Sequence, residues 1–137
     1  MHLTIDHHCG VPVSSQLVEQ IKYLVVSGRL DEGQTLPSVR VLAAQLTLNP
    51  TTVARVYRQL EAERVIYTQA GRGTFVAAGE TGLTLDEKRR RLQGDVRRLI
   101  VEAGRIGMAF EQLVHQVERE IAAIERDRRP TSTEKKS

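Results

Sequence analysis

The chain has 137 residues, of which 40% are hydrophobic and 27% are charged, so it fits one globular domain or a small domain with an appendage. No apolar run reaches the roughly 18 residues of a membrane-spanning helix or resembles a signal peptide, and the single Cys9 cannot form a disulfide within the chain. We therefore expect a cytoplasmic protein without membrane association, whose net charge of +3 and isoelectric point of about 9.3 permit a nucleic-acid partner without requiring one.

The first predicted elements are a short strand and a helix. Residues 3–5 alternate between apolar and polar side chains, as a short strand does. Ser14 or Ser15 is suited to cap a helix, and Gly28 is suited to end that helix in the left-handed conformation. Residues 31–35 are predicted to form a loop.

Two short helices separated by a tight turn follow this loop. Ser38 is a natural N-cap for a second helix that runs through Leu46. Asn49 is predicted to cap a third helix, which begins at Pro50 and continues to about Glu63. Two helices joined in this way form a helix-turn-helix. The third helix is expected to bury Val53, Val56, Tyr57 and Leu60.

A β-hairpin is predicted after the third helix. Residues 65–67 and 74–76 have the composition of strands, and they flank residues 69–73, which contain Gly71 and Gly73. Helices followed by a small hairpin define a winged helix-turn-helix. We therefore predict a mainly α-helical fold in which residues 1–78 form three helices and a β-hairpin wing.

The remainder is predicted to be a pair of helices in residues 79–128, after a hinge at residues 79–82 and before a disordered tail at residues 129–137. Each helix has one apolar stripe, and two helices of this size cannot bury both stripes alone. A second copy of the chain is the simplest partner, so we expect dimerisation through Leu92, Val96, Leu99, Ile100, Phe110, Leu113, Val114, Val117, Ile121 and Ile124.

The charges around the predicted helix-turn-helix are cationic. Residues 33–60 contain Arg40, Arg55 and Arg58 but no carboxylate, which favours binding to the phosphates of duplex DNA. With Val53 inward, about 100° per residue places Thr51, Arg55 and Arg58 on the outer side of the third helix. Thr52 and Gln59 flank them. Arginine pairs with guanine, glutamine with adenine, and threonine with a phosphate or a thymine methyl group.

Three further positions complete the candidate DNA-binding surface. Ser38 and Arg40 lie at the start of the second helix, where Arg40 is expected to reach a base edge or the backbone. Arg72 lies at the hairpin tip, like a wing residue that enters a minor groove. A single surface arginine is usually only a solvated charge. These arginines lie on elements that are each predicted to be part of one DNA-docking unit, which favours binding.

Residues 11–78 contain four motifs in order: Leu36-Pro37-Ser38-Val39-Arg40 with Leu42-Ala43, Asn49-Pro50-Thr51-Thr52-Val53, Tyr57 with Leu60-Glu61, and Gly71-Arg72-Gly73-Thr74-Phe75-Val76. With these motifs the segment resembles the DNA-binding domain of the GntR family of bacterial transcription regulators. The resemblance implies that the positions of Arg40, Thr51, Thr52, Arg55 and the wing tip contact operator DNA. It also implies a dimeric repressor, often of a transporter operon. The short two-helix C-terminus is similar to the YtrA subfamily, which lacks large effector domains.

Two residues depart from the family pattern. Glu32 replaces a usual proline, which is expected to loosen the loop before the second helix. Arg64 replaces a glycine that usually ends the third helix in a left-handed turn. If that turn is kept, a residue with a side chain costs on the order of 1 kcal/mol. If the turn differs, Arg64 is available for a phosphate contact.

Other groups of polar residues predict little chemistry. Two groups of His, Cys and Glu residues, one near the N-terminus and one in the C-terminal helices, lack the spacing of a metal site. The basic run Lys88-Arg89-Arg90-Arg91 is interpreted as a solvated face or a contact to flanking phosphates. No catalytic set is present, so we expect neither an enzyme nor a cofactor. The two groups are His2, His7, His8 and Cys9, and Glu102, His115 and Glu118.

Two alternatives remain open at this stage. A winged domain can bind protein rather than DNA, which predicts no sequence-dependent DNA affinity. A metal or a small ligand between the C-terminal helices can act as a switch, provided that it binds the two states with different affinities. The identity of any effector does not follow from the sequence.

Overall fold

The computed structural model describes residues 1–79 and 82–128. These residues form two compact units, Met1–Gly79 with Arg128, and residues 82–127. The predicted tail at residues 129–137 and the middle of the predicted hinge, residues 80 and 81, lie outside the described residues. Within residues 1–79 and 82–128, no helix is long and apolar enough to span a bilayer.

The first unit is a winged helix-turn-helix, as predicted. Its three strands form one antiparallel sheet in the order β1-β3-β2, and Ile66 of β2 is paired with Val76 of β3. In chain order the elements are helix α1 (Val13–Val26), strand β1 (Thr35–Leu36), helices α2 (Val39–Leu46) and α3 (Pro50–Ala62), and strands β2 (Ile66–Gln69) and β3 (Gly73–Val76).

The starts of α2 and α3 follow the predicted capping chemistry. The Ser38 hydroxyl accepts a hydrogen bond of 3.2 Å from the backbone N–H of Val41. The Asn49 side chain accepts one of 2.8 Å from the backbone N–H of Thr51, and Pro50 occupies the first turn. Each cap satisfies a backbone donor that has no partner within the helix.

Left-handed residues end both helices. Arg64 has φ 62° after α3, and the N–H groups of Arg64 and Val65 bond to the carbonyls of Glu61 and Leu60. This is the Schellman arrangement that glycine normally allows, so the usual family turn is kept despite the arginine. Thr47 adopts φ 55° after α2 with the same pattern of hydrogen bonds.

One hydrophobic core joins the three helices to the sheet. All four core residues predicted on α3 are buried, and they pack with α1, α2 and the strands. Full burial of one Leu, Ile or Val side chain contributes about 1.5–3 kcal/mol. The most buried of the large side chains are Leu17, Ile21, Leu42, Val53, Val56, Leu60, Ile66 and Val76.

The predicted strand at residues 3–5 is wrong. This segment pairs with no strand; instead the side-chain amide of Gln20 donates to the Thr4 carbonyl at 2.6 Å and accepts from the Thr4 N–H at 3.0 Å. Leu3 is buried beside it. The side chain of Gln20 therefore provides the two hydrogen bonds that a neighbouring strand would supply.

Three further boundaries differ from the prediction. Helix α1 begins at Val13 after Pro12 without a side-chain cap, so neither Ser14 nor Ser15 has the expected role. Thr35, predicted to belong to a loop, forms β1 together with Leu36 and pairs with β3. Gln69 and Gly73 are paired strand residues, which leaves a shorter turn than predicted.

The loop that contains Glu32 is fastened to the sheet. The Gly33 N–H donates to the Val76 carbonyl at 2.9 Å, and the Val76 N–H donates to the Gln34 carbonyl at 2.9 Å. Gly28 is left-handed, as predicted, with φ 77°.

The second unit is a helical hairpin. Helix α4 (Leu85–Arg105) is capped by the Thr84 hydroxyl, which accepts from the Glu87 N–H at 3.1 Å, and α5 (Phe110–Asp127) follows a four-residue turn. Gly107 in that turn has φ 78°. Gly104 lies inside α4, next to its last residue.

Candidate nucleic-acid interface

Helix α3 has one buried face and one exposed face. Val53 and Leu60 have none of their surface exposed, whereas Thr51, Arg55 and Arg58 are exposed. The structure thus brings the three predicted outward residues together on one side of α3. Because the hydrophobic stripe fixes the rotation of the helix, these side chains are presented to solvent in a defined direction.

The two flanking residues of α3 differ from each other. Thr52 is half-buried. Gln59 is exposed, but its amide donates to the Glu63 carboxylate at 3.0 Å. The same carboxylate accepts a 2.5 Å hydrogen bond from Lys22 of α1. Exchange of this bond frees the whole side-chain amide of Gln59 for a base.

The carboxyl group of Glu63 is held in its charged form. The hydrogen bond from Lys22, followed by that from Gln59, lowers the pKa of Glu63 below its usual value. Lys22 therefore fastens the end of α3 to α1 through Glu63. The sequence did not predict this role, although the four-residue spacing of Gln59 and Glu63 is itself a signal for a pair on one helix.

The start of α2 lies against α3. Ser38 uses its hydroxyl as the cap of α2, and Arg40 is exposed in the first turn. The buried Tyr57 donates a hydrogen bond of 2.6 Å to the Pro37 carbonyl. From its sequence pattern Tyr57 is predicted only as a core residue, whereas this bond also positions α3 relative to the residues that lead into α2.

The wing presents Arg72 between two glycines with positive φ. Gly71 has φ 77° and Gly73 has φ 121°, and the Arg72 N–H closes the turn by bonding to the Gln69 carbonyl at 2.9 Å. The wing is also tied to α3, because the Glu61 carboxylate accepts a 3.2 Å hydrogen bond from the Thr68 N–H. Helix α3 is therefore hydrogen-bonded to both neighbouring parts of the surface.

The helical hairpin exposes much of its apolar surface. Val96 is 52% exposed and Phe110 is 61% exposed, and only Ala103 is buried among the described residues of the two helices. Of the ten residues predicted to dimerise, Leu113 and Ile124 are half-buried and the others are exposed. We call this set the apolar face: Leu92, Val96, Leu99, Ile100, Phe110, Leu113, Val114, Val117, Ile121 and Ile124.

The weaker polar groups do not form a metal site within residues 1–79 and 82–128. Cys9 is exposed and contacts the Gln16 amide at 3.4 Å. Glu102 is paired with Arg105 on its own helix, and the His115 ring lies 3.6 Å from the Glu118 carboxylate. The contacts of Glu102 and Glu118 are local pairs on exposed helix faces.

A winged helix-turn-helix with exposed arginines on its third helix, at the start of its second helix and at the wing tip defines a class of DNA-binding regulators. The family of bacterial regulatory proteins called gntR matches residues 13–76. The HTH-type transcriptional repressor YtrA of Bacillus subtilis is 34% identical over 121 residues, which cover 88% of this chain and 92% of YtrA. The chain belongs to the GntR family, within its YtrA-like subfamily, and is a DNA-binding transcription regulator.

Two solved structures support this assignment over most of the chain. A transcriptional antiterminator from Listeria monocytogenes EGD-e has a TM-score of 0.78 and 31% identity, covering 91% of this chain and 93% of that one. YtrA from Sulfolobus acidocaldarius, a GntR-family transcription factor, has a TM-score of 0.59 and 31% identity, covering 72% of this chain and 97% of that one. The predicted family and winged fold are thereby confirmed.

Proposed function

We propose that the chain is a homodimeric repressor that binds operator DNA with α3 in the major groove. The observation that carries this proposal is the exposed face of α3, where Thr51, Arg55 and Arg58 lie opposite a fully buried stripe. A helix of this diameter fits the major groove, where each base pair presents a distinct pattern of donors and acceptors.

Each polar residue of the surface has a proposed role. Arg55 and Arg58 bind base edges or phosphates, and Thr51 binds a phosphate through its exposed hydroxyl. Arg40 approaches from α2, and Arg72 enters the minor groove from the wing. Ser38, Thr52, Gly71 and Gly73 support these contacts by shaping the backbone or reaching the DNA backbone, and Gln59 is a base contact once it leaves Glu63.

Residues 79–128 are proposed to form the dimer interface. Exposed apolar surface of this extent favours burial against a second copy, and YtrA of Bacillus subtilis is named as a repressor. A two-fold dimer places its half-sites about 34 Å apart or a multiple of that distance. The resemblance to the family suggests a transporter operon as the target and a cytoplasmic location.

The test is binding of the protein to its own upstream DNA and to a scrambled duplex of equal length, over a range of salt concentrations. Arg55→Ala is expected to weaken binding to the upstream DNA by about tenfold, since a bidentate contact to guanine contributes about 1–3 kcal/mol. Arg29→Ala is the matched control, because it removes the same charge from an exposed residue outside α2, α3 and the wing. It is expected to bind like the wild type.

Three results contradict the proposal. Unchanged affinity of the Arg55→Ala protein removes Arg55 from the interface. Equal and steeply salt-dependent binding to both duplexes shows only the phosphate contribution to affinity. Absence of binding to either duplex at low salt supports the protein-interaction alternative.

A further inference from the structure

Charges of opposite sign are segregated between the two helices of the hairpin. Helix α4 carries seven basic and four acidic side chains, for a net charge of +3. Helix α5 carries two basic and five acidic side chains, for a net charge of −3 with His115 neutral. Complementary charges at an interface select the partner and its orientation.

Two basic side chains of α4 lie next to its exposed apolar residues on the Ile100 side. Arg89 and Arg97 line one shallow groove along α4 together with Leu92, Val96 and Ile100. At about 100° per residue, Arg89 lies between Val96 and Ile100, and Arg97 lies about 60° beyond Ile100 on the same side of the helix. We call Arg89 and Arg97 the basic edge.

The acidic charges of α5 form a row beside its most exposed apolar residues. Glu111, Glu118 and Glu125 recur every seven residues, so they lie in one line along the helix. This line borders the side of the apolar stripe that contains Val114, which is 57% exposed, and not the side of the half-buried Leu113. We call the three glutamates the acidic edge.

The helical geometry places these two edges on opposite outer sides of the hairpin. Successive residues of a right-handed helix turn in one sense around the helix axis. Seen from one fixed viewpoint, that sense is reversed in an antiparallel neighbour. With the apolar face toward the viewer, the basic edge therefore borders α4 on the side away from α5, and the acidic edge borders α5 on the side away from α4.

Two face-to-face dimers can bury the apolar face. A two-fold axis parallel to the helices stacks α4 of one copy on α5 of the partner, so that each basic edge meets an acidic edge. A two-fold axis perpendicular to the helices stacks α4 on α4 and α5 on α5, so that like charges meet. Like charges in contact are destabilising.

The positions of the charges along the helices fit the first arrangement. Arg97 lies eight residues before the end of α4 at Arg105, and Glu118 lies eight residues after the start of α5 at Phe110, so both are about 12 Å from the turn at a 1.5 Å rise per residue. Arg89 lies sixteen residues before the end of α4, and Glu125 lies fifteen residues after the start of α5. A two-fold axis parallel to the helices leaves each residue at the same height along the helices. Arg97 therefore lies at the height of the partner's Glu118, and Arg89 at the height of the partner's Glu125.

We propose that the second copy docks on the apolar face with its α5 alongside α4, and that pairing of the basic edge with the acidic edge selects this arrangement. The inference rests on the proposed homodimer and goes further by naming the charges that orient it. Glu118 and Glu125 are thereby positioning residues of the interface, and Arg89 and Arg97 are their partners.

The experiment measures the dimer dissociation constant by sedimentation equilibrium at low and high salt for two charge-reversed proteins. One carries Arg89→Glu and Arg97→Glu, and the other carries Glu118→Lys and Glu125→Lys. Each alone is expected to dimerise about tenfold more weakly than the wild type or worse, because like charges then meet at both contacts. An equimolar mixture, or one chain with all four changes, is expected to recover the wild-type constant to within about threefold.

The matched control carries Arg90→Glu and Arg98→Glu. It makes the same charge change at the same spacing on α4. The control loses the ion pair between Arg98 and Asp95, and the Arg89→Glu, Arg97→Glu protein loses the one between Arg89 and Asp86, so both variants lose one ion pair within the helix. Since Arg90 and Arg98 lie on the side of α4 opposite the apolar stripe, dimerisation of the control is expected to match the wild type. Far-UV circular dichroism verifies that the helices persist.

The outcomes separate this inference from the proposed function. A wild type that stays monomeric overturns the homodimer itself. A dimeric wild type whose single-edge variants associate normally overturns the α4-to-α5 arrangement, as the stacking of like helices predicts. Equal weakening of the edge variants and the control overturns the selective role of the edges.

Discussion

The hydroxyl of Tyr57 donates a 2.6 Å hydrogen bond to the main-chain carbonyl of Pro37. Tyr57 lies in the buried stripe of α3, and Pro37 directly precedes Ser38, the cap of α2. A single bond therefore links the helix that presents Arg55 to the start of the helix that presents Arg40. Burial raises the pKa of Tyr57 to about 12, so the donor proton is retained at neutral pH.

Replacement of Tyr57 by phenylalanine tests this link. Tyr57→Phe keeps the ring in the core but leaves the part-buried Pro37 carbonyl without its donor, so it is expected to lower the free energy of unfolding by about 1 kcal/mol. Urea denaturation measures the loss. Tyr67→Phe is the control, because it removes a more exposed hydroxyl and leaves the ring stack with Phe75 intact. Equal effects of the two changes contradict the prediction.

Relief of backbone strain at Arg64 is expected to stabilise the protein. Arg64→Gly removes the side chain from a residue with φ 62°, which is expected to raise the free energy of unfolding by about 1 kcal/mol. Arg64→Ala is the control, since it removes the charge but keeps the strained Cβ. If glycine gives no more stability than alanine in thermal or urea unfolding, the strain is not the cause. Operator binding by the two variants shows whether the Arg64 charge contacts a phosphate.

The pair between Lys22 and Glu63 predicts a pH dependence of stability. Because the folded pKa of Glu63 is lowered, the contribution of this carboxylate is complete above its usual pKa of 4.5 and is lost as the pH falls through the folded value. Glu63→Gln is therefore expected to be less stable than the wild type at neutral pH, with a gap that closes in acid. Urea unfolding at a series of pH values measures this difference in the free energy of unfolding. Glu32→Gln is the control, because it makes the same change at another exposed glutamate. A gap that is constant with pH argues against the pair.

Removal of the wing arginine is expected to affect DNA binding without affecting the fold. Arg72→Ala leaves both glycines of the turn in place, and it is expected to weaken operator binding by about tenfold. Loss of a cation near the phosphates also makes the negative slope of log affinity against log salt shallower by about one. Titrations at several salt concentrations measure both quantities, again with Arg29→Ala as the control. An unchanged affinity and slope place Arg72 outside the interface.

Local chemistry made the helix-turn-helix predictable from the sequence. The caps at Ser38 and Asn49 act within three residues of themselves, and the spacing of Val53, Val56 and Leu60 is a property of one helix. The rotation of α3, and with it the exposed positions of Thr51, Arg55 and Arg58, follows from that spacing. The DNA contacts of these residues stay a prediction.

The features that the sequence did not reveal depend on residues that are distant along the chain. Strand β1 has two residues and exists because Thr35 and Leu36 are paired with β3. Gln20 bonds to Thr4 across sixteen residues, and Lys22 bonds to Glu63 across forty-one. No local pattern identifies such partners, because the folded backbone brings them together.

The left-handed turn at Thr47 has a consequence for the thermodynamics of binding. A β-branched residue rarely adopts φ 55°, and it persists here because the Leu48 N–H bonds to the Ala43 carbonyl at 2.8 Å while both adjoining helices are packed. Helices α2 and α3 thus have a fixed angle to each other in the protein without bound DNA. Calorimetric titration should then give a heat-capacity change set by the contact area alone, without the additional decrease that accompanies coupled folding.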